Sequence, residues 1–228
     1  MRTAPGAVMI FAAGFGTRMG ELTKDRPKPL IPVGGKPLID HALDIATGAG
    51  VGHIVVNAHY RADEVRDYLA DRAPTVIEEA PEILDTGGGL KNAAPVLGTD
   101  PVFTLNSDAV WSGPNPLTQL AKSWDPARMD ALLLVVPEAR AHGRLGGGDF
   151  DLDGDGRPVR KGPYVYTGAQ ILRTGPVLDV PDRVFSLNRV WDALAAEQRL
   201  FATIYPGHWG DVGHPAGLAE AERMLAGV

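Results

Sequence analysis

The sequence predicts an α/β domain: a mostly parallel central sheet with helices on both faces and a small antiparallel insertion late in the chain. Three observations carry this. Short, largely apolar runs recur at residues 7–13, 51–57, 102–106 and 131–136, too brief for helices and read as strands, the first, third and fourth of them buried. Amphipathic stretches of helical period lie between them, and such alternation lays strands side by side in parallel. After Gly143 the texture changes, as Gly146-Gly147-Gly148 and Asp153-Gly154-Asp155-Gly156 punctuate short runs in the manner of hairpins. With 228 residues, 44% of them apolar, the chain can bury one large core, so a single domain over 1–228 is expected.

The first apolar run, 7–13, reads as a buried strand closed by Gly14. A turn holding Gly14 and Gly16 lets main-chain N–H groups approach an anion, because no Cβ stands in the way. Arg18 lies just past the turn, and Lys28 follows a Pro-bracketed segment. Two fixed cations can thus converge on one charge, which suggests a nucleoside triphosphate. Residues 24–37 hold four prolines and two glycines and should form a loop; Pro37 suits the first turn of a helix through Leu38, Ala42, Leu43 and Ala46, ended by Gly48 and Gly50.

Residues 51–57 form the next strand, then a short helix joins Val65, Tyr68 and Leu69 on one face, with Asp63, Glu64, Arg66 and Asp67 towards water. A third strand fits 75–79. Thr86-Gly87-Gly88-Gly89, ahead of Leu90, Ala93 and Ala94, is expected to open a helix with amides directed outwards, where they can read a base edge or a phosphate. Strands at 102–106 and 131–136 flank a helix at 116–124. Beyond the insertion come a strand at 164–172, a helix at 188–197, a strand at 200–205 and a closing helix at 215–226.

Several function classes fall away. A net charge of −6 lacks the surplus of Lys and Arg that nucleic-acid binding requires, whereas a basic cradle in an acidic protein suits a small anion. Without cysteine there are no disulfides and no thiolate chemistry, so any metal is held by oxygen or imidazole; the six histidines show no paired metal spacing. The early apolar run is short and interrupted by Gly14, and no stretch reaches membrane-spanning length, so a cytoplasmic protein without membrane or nucleic-acid partners is expected. The dinucleotide fingerprint fails because its third glycine is due where Met19 stands, and the P-loop fails because Gly35-Lys36 is followed by Pro37. Asp151, Asp153, Asp155 and Gly156 imitate half a calcium loop, but its closing glutamate would be Gly162. No Gly-x-Ser-x-Gly elbow supports a serine nucleophile.

Asn106-Ser107-Asp108 follows a buried strand, which puts Asp108 at the strand's carboxyl end, where open α/β sheets bind ligands. Asp211, in Gly207-His208-Trp209-Gly210-Asp211-Val212-Gly213, also follows a strand and can bring a second carboxylate to one Mg2+ ion, which takes one or two carboxylates plus phosphate oxygens. His142-Gly143-Arg144, Asp149 and Thr167-Gly168 lie where a polar second substrate can bind.

These residues carry a resemblance. Ala12-Ala13-Gly14-Phe15-Gly16-Thr17-Arg18-Met19, then Leu22-Thr23, Pro27-Lys28-Pro29-Leu30-Ile31-Pro32-Val33 and Gly35-Lys36-Pro37-Leu38-Ile39, with Asn106-Ser107-Asp108 and Trp209-Gly210-Asp211-Val212-Gly213 downstream, resemble the signature of the sugar-1-phosphate nucleotidyltransferases over nearly the whole chain. Within that family, Asp85-Thr86-Gly87-Gly88-Gly89, Leu97-Gly98, His142-Gly143-Arg144, Gly148-Asp149-Phe150, Gly207-His208-Trp209 and Leu218-Ala219-Glu220-Ala221-Glu222 look most like the uridylyltransferases of N-acetylmuramate 1-phosphate in peptidoglycan recycling. Glu21 departs from the family's usual proline, and Leu145-Gly146-Gly147 lengthens the stretch between Arg144 and Asp149.

The resemblance implies a single Rossmann-like domain, with a nucleotide-binding half over about 1–115 and a sugar-phosphate half over about 116–228. It implies an enzyme that joins a sugar 1-phosphate to a nucleoside triphosphate, UTP by the subfamily it most resembles, and releases pyrophosphate; a monomer or homodimer is expected. Arg18, Lys28, Asp108 and Asp211 are then the catalytic set, Asp108 and Asp211 hold Mg2+, and Ala12, Ala13, Gly14, Gly16, Thr17, Asn57, Thr86, Gly87, Gly88 and Asn106 join Arg18 and Lys28 around the nucleotide. Asp108, Arg144, Asp149, Lys161, Thr167 and Gly168 face the sugar phosphate. Guanylyl or thymidylyl transfer to mannose, heptose or glucose 1-phosphate, and a non-catalytic sugar-nucleotide-binding regulator, stay open. A glycosyltransferase is disfavoured, because Asn106 stands where a metal-binding Asp-x-Asp would have its first carboxylate.

Overall fold

The computed structural model describes residues 4–227. Across its main sheet the strands run Thr75–Glu78, His53–Ala58, Ala7–Phe11, Val102–Asn106, Tyr164–Leu172, Ala131–Pro137 and Leu200–Ile204. All neighbours pair in parallel except Tyr164–Leu172, which runs antiparallel to the strands on both sides of it. The expected insertion is a hairpin, Phe150–Leu152 with Pro158–Arg160, joined to that reversed strand through Phe150 and Tyr164.

Burial on both faces explains the largely apolar runs. Val8, Ile10, Ile54, Val56, Phe103, Leu105, Leu132 and Leu134 point to one core, against the helices Leu38–Gly48, Ala62–Leu69 and Pro116–Ser123. Their alternates Ala7, Met9, Val55, Val102, Ala131 and Leu133 point to a second, against Asp85–Leu97 and Leu187–Ala196. This period of two within a continuous apolar run is what a doubly covered sheet demands.

Element bounds differ from expectation where main-chain groups find other partners. The first strand stops at Phe11 rather than at residue 13, because the Ala12 N–H leaves the ladder for Asn57 Oδ1 at 2.8 Å. Val51 closes the preceding helix by donating to Ala46 O at 3.1 Å, so the second strand begins at His53. Pro37 is not in the first helical turn; it is the extended residue before it (ψ 144°) and pairs with Pro32 in a two-residue ladder.

Sequence patterning gives no hint of a second sheet, in which His208–Asp211 pairs antiparallel with Ala109–Ser112 and parallel with Ala141–His142. Asp211 therefore ends a strand of its own rather than following Leu200–Ile204. A third core of Met19, Ile31, Val33, Leu38, Val110, Val212, Ala221 and Met224 ties the start of the chain to the closing helix Pro215–Ala226. Among the described residues no helix is long and apolar enough to cross a membrane.

Candidate active site

Two adjoining cavities of 360 and 340 Å3 open at the carboxyl ends of the parallel strands and share a wall made by Phe11, Arg18, Asp85, Thr86, Asn106 and Asp108. This is where an open α/β sheet leaves main-chain groups free for ligands. The first cavity is lined almost wholly from residues 11–108, with Gly213 added; the second draws on Arg144, Asp149, Arg160, Tyr166, Gly168, Trp191 and Asp211.

A buried polar chain fixes the floor of the first cavity. Asn57 Oδ1 accepts from the Ala12 N–H, Asn57 Nδ2 donates to Glu79 Oε1 at 2.6 Å, and Glu79 Oε2 accepts from the Leu84 N–H at 2.8 Å. Asn57 and Glu79 are 2% and 1% exposed, so every partner in this chain costs free energy to lose. Ser107 seals the adjoining strand by donating both its N–H and its hydroxyl to Phe11 O. Ala12, Ala13, Gly14, Gly16 and Thr17 line the cavity above this floor. Gly16 has φ 66°, and a Cβ there would fall 3.0 Å from Lys28 Cβ, so the glycine lets the lysine stem pass beneath the turn.

The charges sit on the wall between the cavities. Lys28, 9% exposed, donates to Asp108 Oδ2 at 2.6 Å. Burial opposes ionisation of Asp108, but the Lys28 ammonium, with help from Arg18, holds its carboxyl below the usual range. Asp211 goes the other way: burial, then the neighbouring Asp108 charge, pushes it up. The small sheet causes this meeting, since Asp211 is in register with Ala109 and the Val212 N–H donates to Asp108 O at 2.9 Å. Arg18 makes no ion pair or hydrogen bond among the described residues and borders both cavities. On the second cavity, Arg144 pairs with Asp149 at 2.8 Å, and the other Asp149 oxygen accepts from the Tyr166 N–H at 2.9 Å.

Asp108 and Asp211 fit a hard divalent cation. Both offer oxygen, and the raised Asp211 records a like-charge and burial cost that a cation between them would relieve. Among the described residues no cluster of three or more His, Asp or Glu side chains forms a ready-made metal cage, so phosphate oxygens and water would supply the remaining ligands.

Four of the expected site residues are not brought to either cavity. Gly87 and Gly88 donate their N–H groups to Phe185 O at 2.9 and 3.1 Å, so these amides are consumed by packing. The three glycines serve close approach instead: a Cβ at Gly87 would meet the Phe185 ring at 2.4 Å, at Gly88 the Arg183 carbonyl at 2.2 Å, and at Gly89 the Glu79 carboxylate at 2.6 Å. Thr167 is fully buried and donates to Leu134 O. Lys161 takes φ 69° and turns outwards, while the residue before it, Arg160, lines the second cavity.

Gly168 does reach the cavity, because the reversed strand bulges between Tyr166 and Gln170 and lays Gly168 against Asn106. Thr86 lines both cavities and accepts from the Leu187 N–H. Sequence reasoning missed Glu79, Asp85, Arg160, Tyr166 and Trp191. Asp85, a non-glycine residue at φ 59°, heads the Asp85-Thr86-Gly87-Gly88-Gly89 stretch, and Arg160 and Tyr166 directly precede Lys161 and Thr167-Gly168, whereas Glu79 and Trp191 adjoin no motif.

The profile of the MobA-like NTP transferase domain matches residues 8–227. The chain is 40% identical to the N-acetylmuramate alpha-1-phosphate uridylyltransferase of Caulobacter vibrioides, with 99% of each protein covered. It is 30% identical to the mannose-1-phosphate guanyltransferase of Hypocrea jecorina over 91% of this chain, and spans only 60% of that longer protein. The structure of HddC from Yersinia pseudotuberculosis complexed with GMP-PN superimposes with a TM-score of 0.77 at 25% identity, covering 96% of this chain and 99% of that one. The turn at Gly14–Gly16, the two strand-end carboxylates and the paired cavities thus sit in a familiar frame: the chain belongs to the MobA-like NTP transferase family and, within it, to the sugar-1-phosphate nucleotidyltransferases.

Proposed function

We propose that the protein transfers a uridylyl group from UTP to N-acetylmuramate 1-phosphate and releases pyrophosphate, as a cytoplasmic, Mg2+-dependent enzyme. The observation that carries this is the 40% identity, end to end, with an enzyme named for that reaction, against 30% and partial coverage for a guanyltransferase. In this reading the first cavity takes the nucleotide and the second the sugar.

An oxygen of the sugar phosphate attacks the α-phosphorus of the nucleotide; one P–O bond forms as the bond to pyrophosphate breaks, and no proton has to move. The nucleophile is already an anion, so the protein's work is to position two polyanions and neutralise their charge. Arg18, unpaired on the shared wall, steadies the departing pyrophosphate. Lys28 shields the phosphate charge and keeps Asp108 ionised. Asp108 and Asp211 would hold Mg2+, which when bound supplies further neutralisation at the phosphates. Ala13, Gly14, Gly16 and Thr17 cradle the nucleotide, and Arg144, oriented by Asp149, meets the sugar phosphate.

The test is pyrophosphate release across UTP, dTTP, GTP and CTP against N-acetylmuramate, N-acetylglucosamine, glucose and mannose 1-phosphates, with and without Mg2+. Signal concentrated in the UTP and N-acetylmuramate 1-phosphate pair is expected. Preference for GTP with mannose 1-phosphate would move the assignment to guanylyl transfer, and nucleotide binding without turnover in any pair would refute catalysis.

A further inference from the structure

The second cavity is lined by a further cation, Arg160, besides Arg18 and Arg144. Hairpin register sets Arg160 opposite Phe150, and its guanidinium lies 5.0 Å from the Phe150 ring centre and 5.9 Å from that of Trp191. One end is anchored: Nη2 donates to Asn188 Oδ1 at 2.9 Å and to Asp192 Oδ1 at 3.0 Å. Among the described residues Nε and Nη1 have no hydrogen-bond partner.

The Arg160 and Asp192 side chains are 47% and 68% exposed, so their pairing is worth little and leaves the cation's capacity nearly intact. Other cations of the site have assigned tasks. Lys28 is held by Asp108, Arg144 by Asp149, and Arg18 sits on the wall shared with the first cavity. Arg160 borders the second cavity alone, away from the phosphate-facing wall. A guanidinium braced on two aromatic rings, with Nη2 anchored and N–H donors open at Nε and Nη1, keeps its position and can still offer a charge-assisted hydrogen bond to a carboxylate.

We infer that Arg160 reads a carboxylate carried by the sugar itself, which makes the second cavity a site for the 1-phosphate of a sugar acid. This rests on the reading above, because N-acetylmuramate differs from N-acetylglucosamine by a lactyl ether whose carboxylate is the one added charge. Arg160 is a specificity-determining residue and takes no part in the transfer step.

The experiment is to measure kcat/KM with UTP for N-acetylmuramate 1-phosphate and N-acetylglucosamine 1-phosphate in the wild type, Arg160→Met and Arg160→Lys. Loss of one charge-assisted hydrogen bond should lower kcat/KM for the acidic sugar by roughly 10- to 100-fold in Arg160→Met. The neutral sugar should change by less than about threefold, which also shows that the variant is folded, and Arg160→Lys should recover part of the loss as a point charge. A wild type that prefers the acidic sugar and an Arg160→Met variant that keeps this preference, or loses both activities equally, overturns the assignment of Arg160 alone. A wild type that ignores the acidic sugar overturns the substrate reading and this inference with it.

Discussion

Replacing Gly88 by alanine separates two readings of the triple glycine. If its amides cradle a nucleotide, a methyl group there should weaken UTP binding; if the glycine exists for close packing, the damage should fall on stability. The new Cβ would stand 2.2 Å from the Arg183 carbonyl oxygen and 3.1 Å from Leu84 Cβ. Ordinary contact begins near 3.4 Å, so the 183–185 segment must retreat by about 1 Å. That oxygen belongs to backbone and cannot swing aside as a side chain can. The retreat also strains the Gly87 and Gly88 N–H bonds to Phe185 O. Overpacking of this kind costs about 1–3 kcal/mol and a weakened hydrogen bond about 1 kcal/mol more. For a chain of this size each kcal/mol lowers Tm by about 2–4 °C, so a fall of roughly 4–16 °C is expected. Thermal melting of the ligand-free protein measures this, with Gly52→Ala as control, since a Cβ there meets nothing within 4 Å. Ser186, Leu187 and Asn188 line the second cavity just beyond the displaced segment, so KM for the sugar phosphate should rise more than KM for UTP. An unchanged Tm with a raised KM for UTP would refute the packing argument and restore the amides to the nucleotide.

The two carboxylates should respond in opposite directions. Asp211 has its folded pKa raised by burial and Asp108, so its charge costs stability that grows as pH rises above the ordinary carboxylate value. Asp211→Asn should therefore raise Tm of the metal-free protein at pH 7, with the gain closing towards acid pH, while activity with Mg2+ collapses; a lower Tm at pH 7 would contradict the assigned cause. Asp108 is held low, so it contributes stability above the ordinary carboxylate value and loses it as pH falls through its depressed pKa. Asp108→Asn should cost about 1–3 kcal/mol at neutral pH, read from denaturant melts, by leaving Lys28 without its anionic partner. For Lys28→Met, kcat should fall roughly 100- to 1000-fold, the loss typical of one transition-state donor; a fall of under tenfold in steady-state assays would remove Lys28 from charge neutralisation.

Much of the fold was legible because burial on both faces of a parallel sheet leaves a plain trace: short, largely apolar runs, such as 7–13 and 131–136, separated by stretches of helical period. The turn at Gly14–Gly16 and the carboxylate after Asn106-Ser107 were legible for the same reason, since a strand's end fixes where the next residues emerge. What local pattern cannot express is which distant groups use up a donor. Gly87 and Gly88 look like open amides until Phe185 is seen to accept from them, and Thr167 looks like a ligand until its hydroxyl is seen to donate to Leu134 O. The hairpin register could not be read either, and it decides that Arg160 rather than Lys161 faces the cavity.

By itself, then, the sequence determined the layered α/β frame, the family, and the residues able to carry phosphate chemistry, because these depend on periodicity and on residue types fixed within short stretches. Only the tertiary structure decided that Asp108 and Asp211 share one site, through a second sheet whose strands of four residues or fewer are too short to show a period, and that Glu79 underlies the cradle. Both depend on pairing between segments far apart in the chain, and such pairing is set by the packing of the whole rather than by any window of residues.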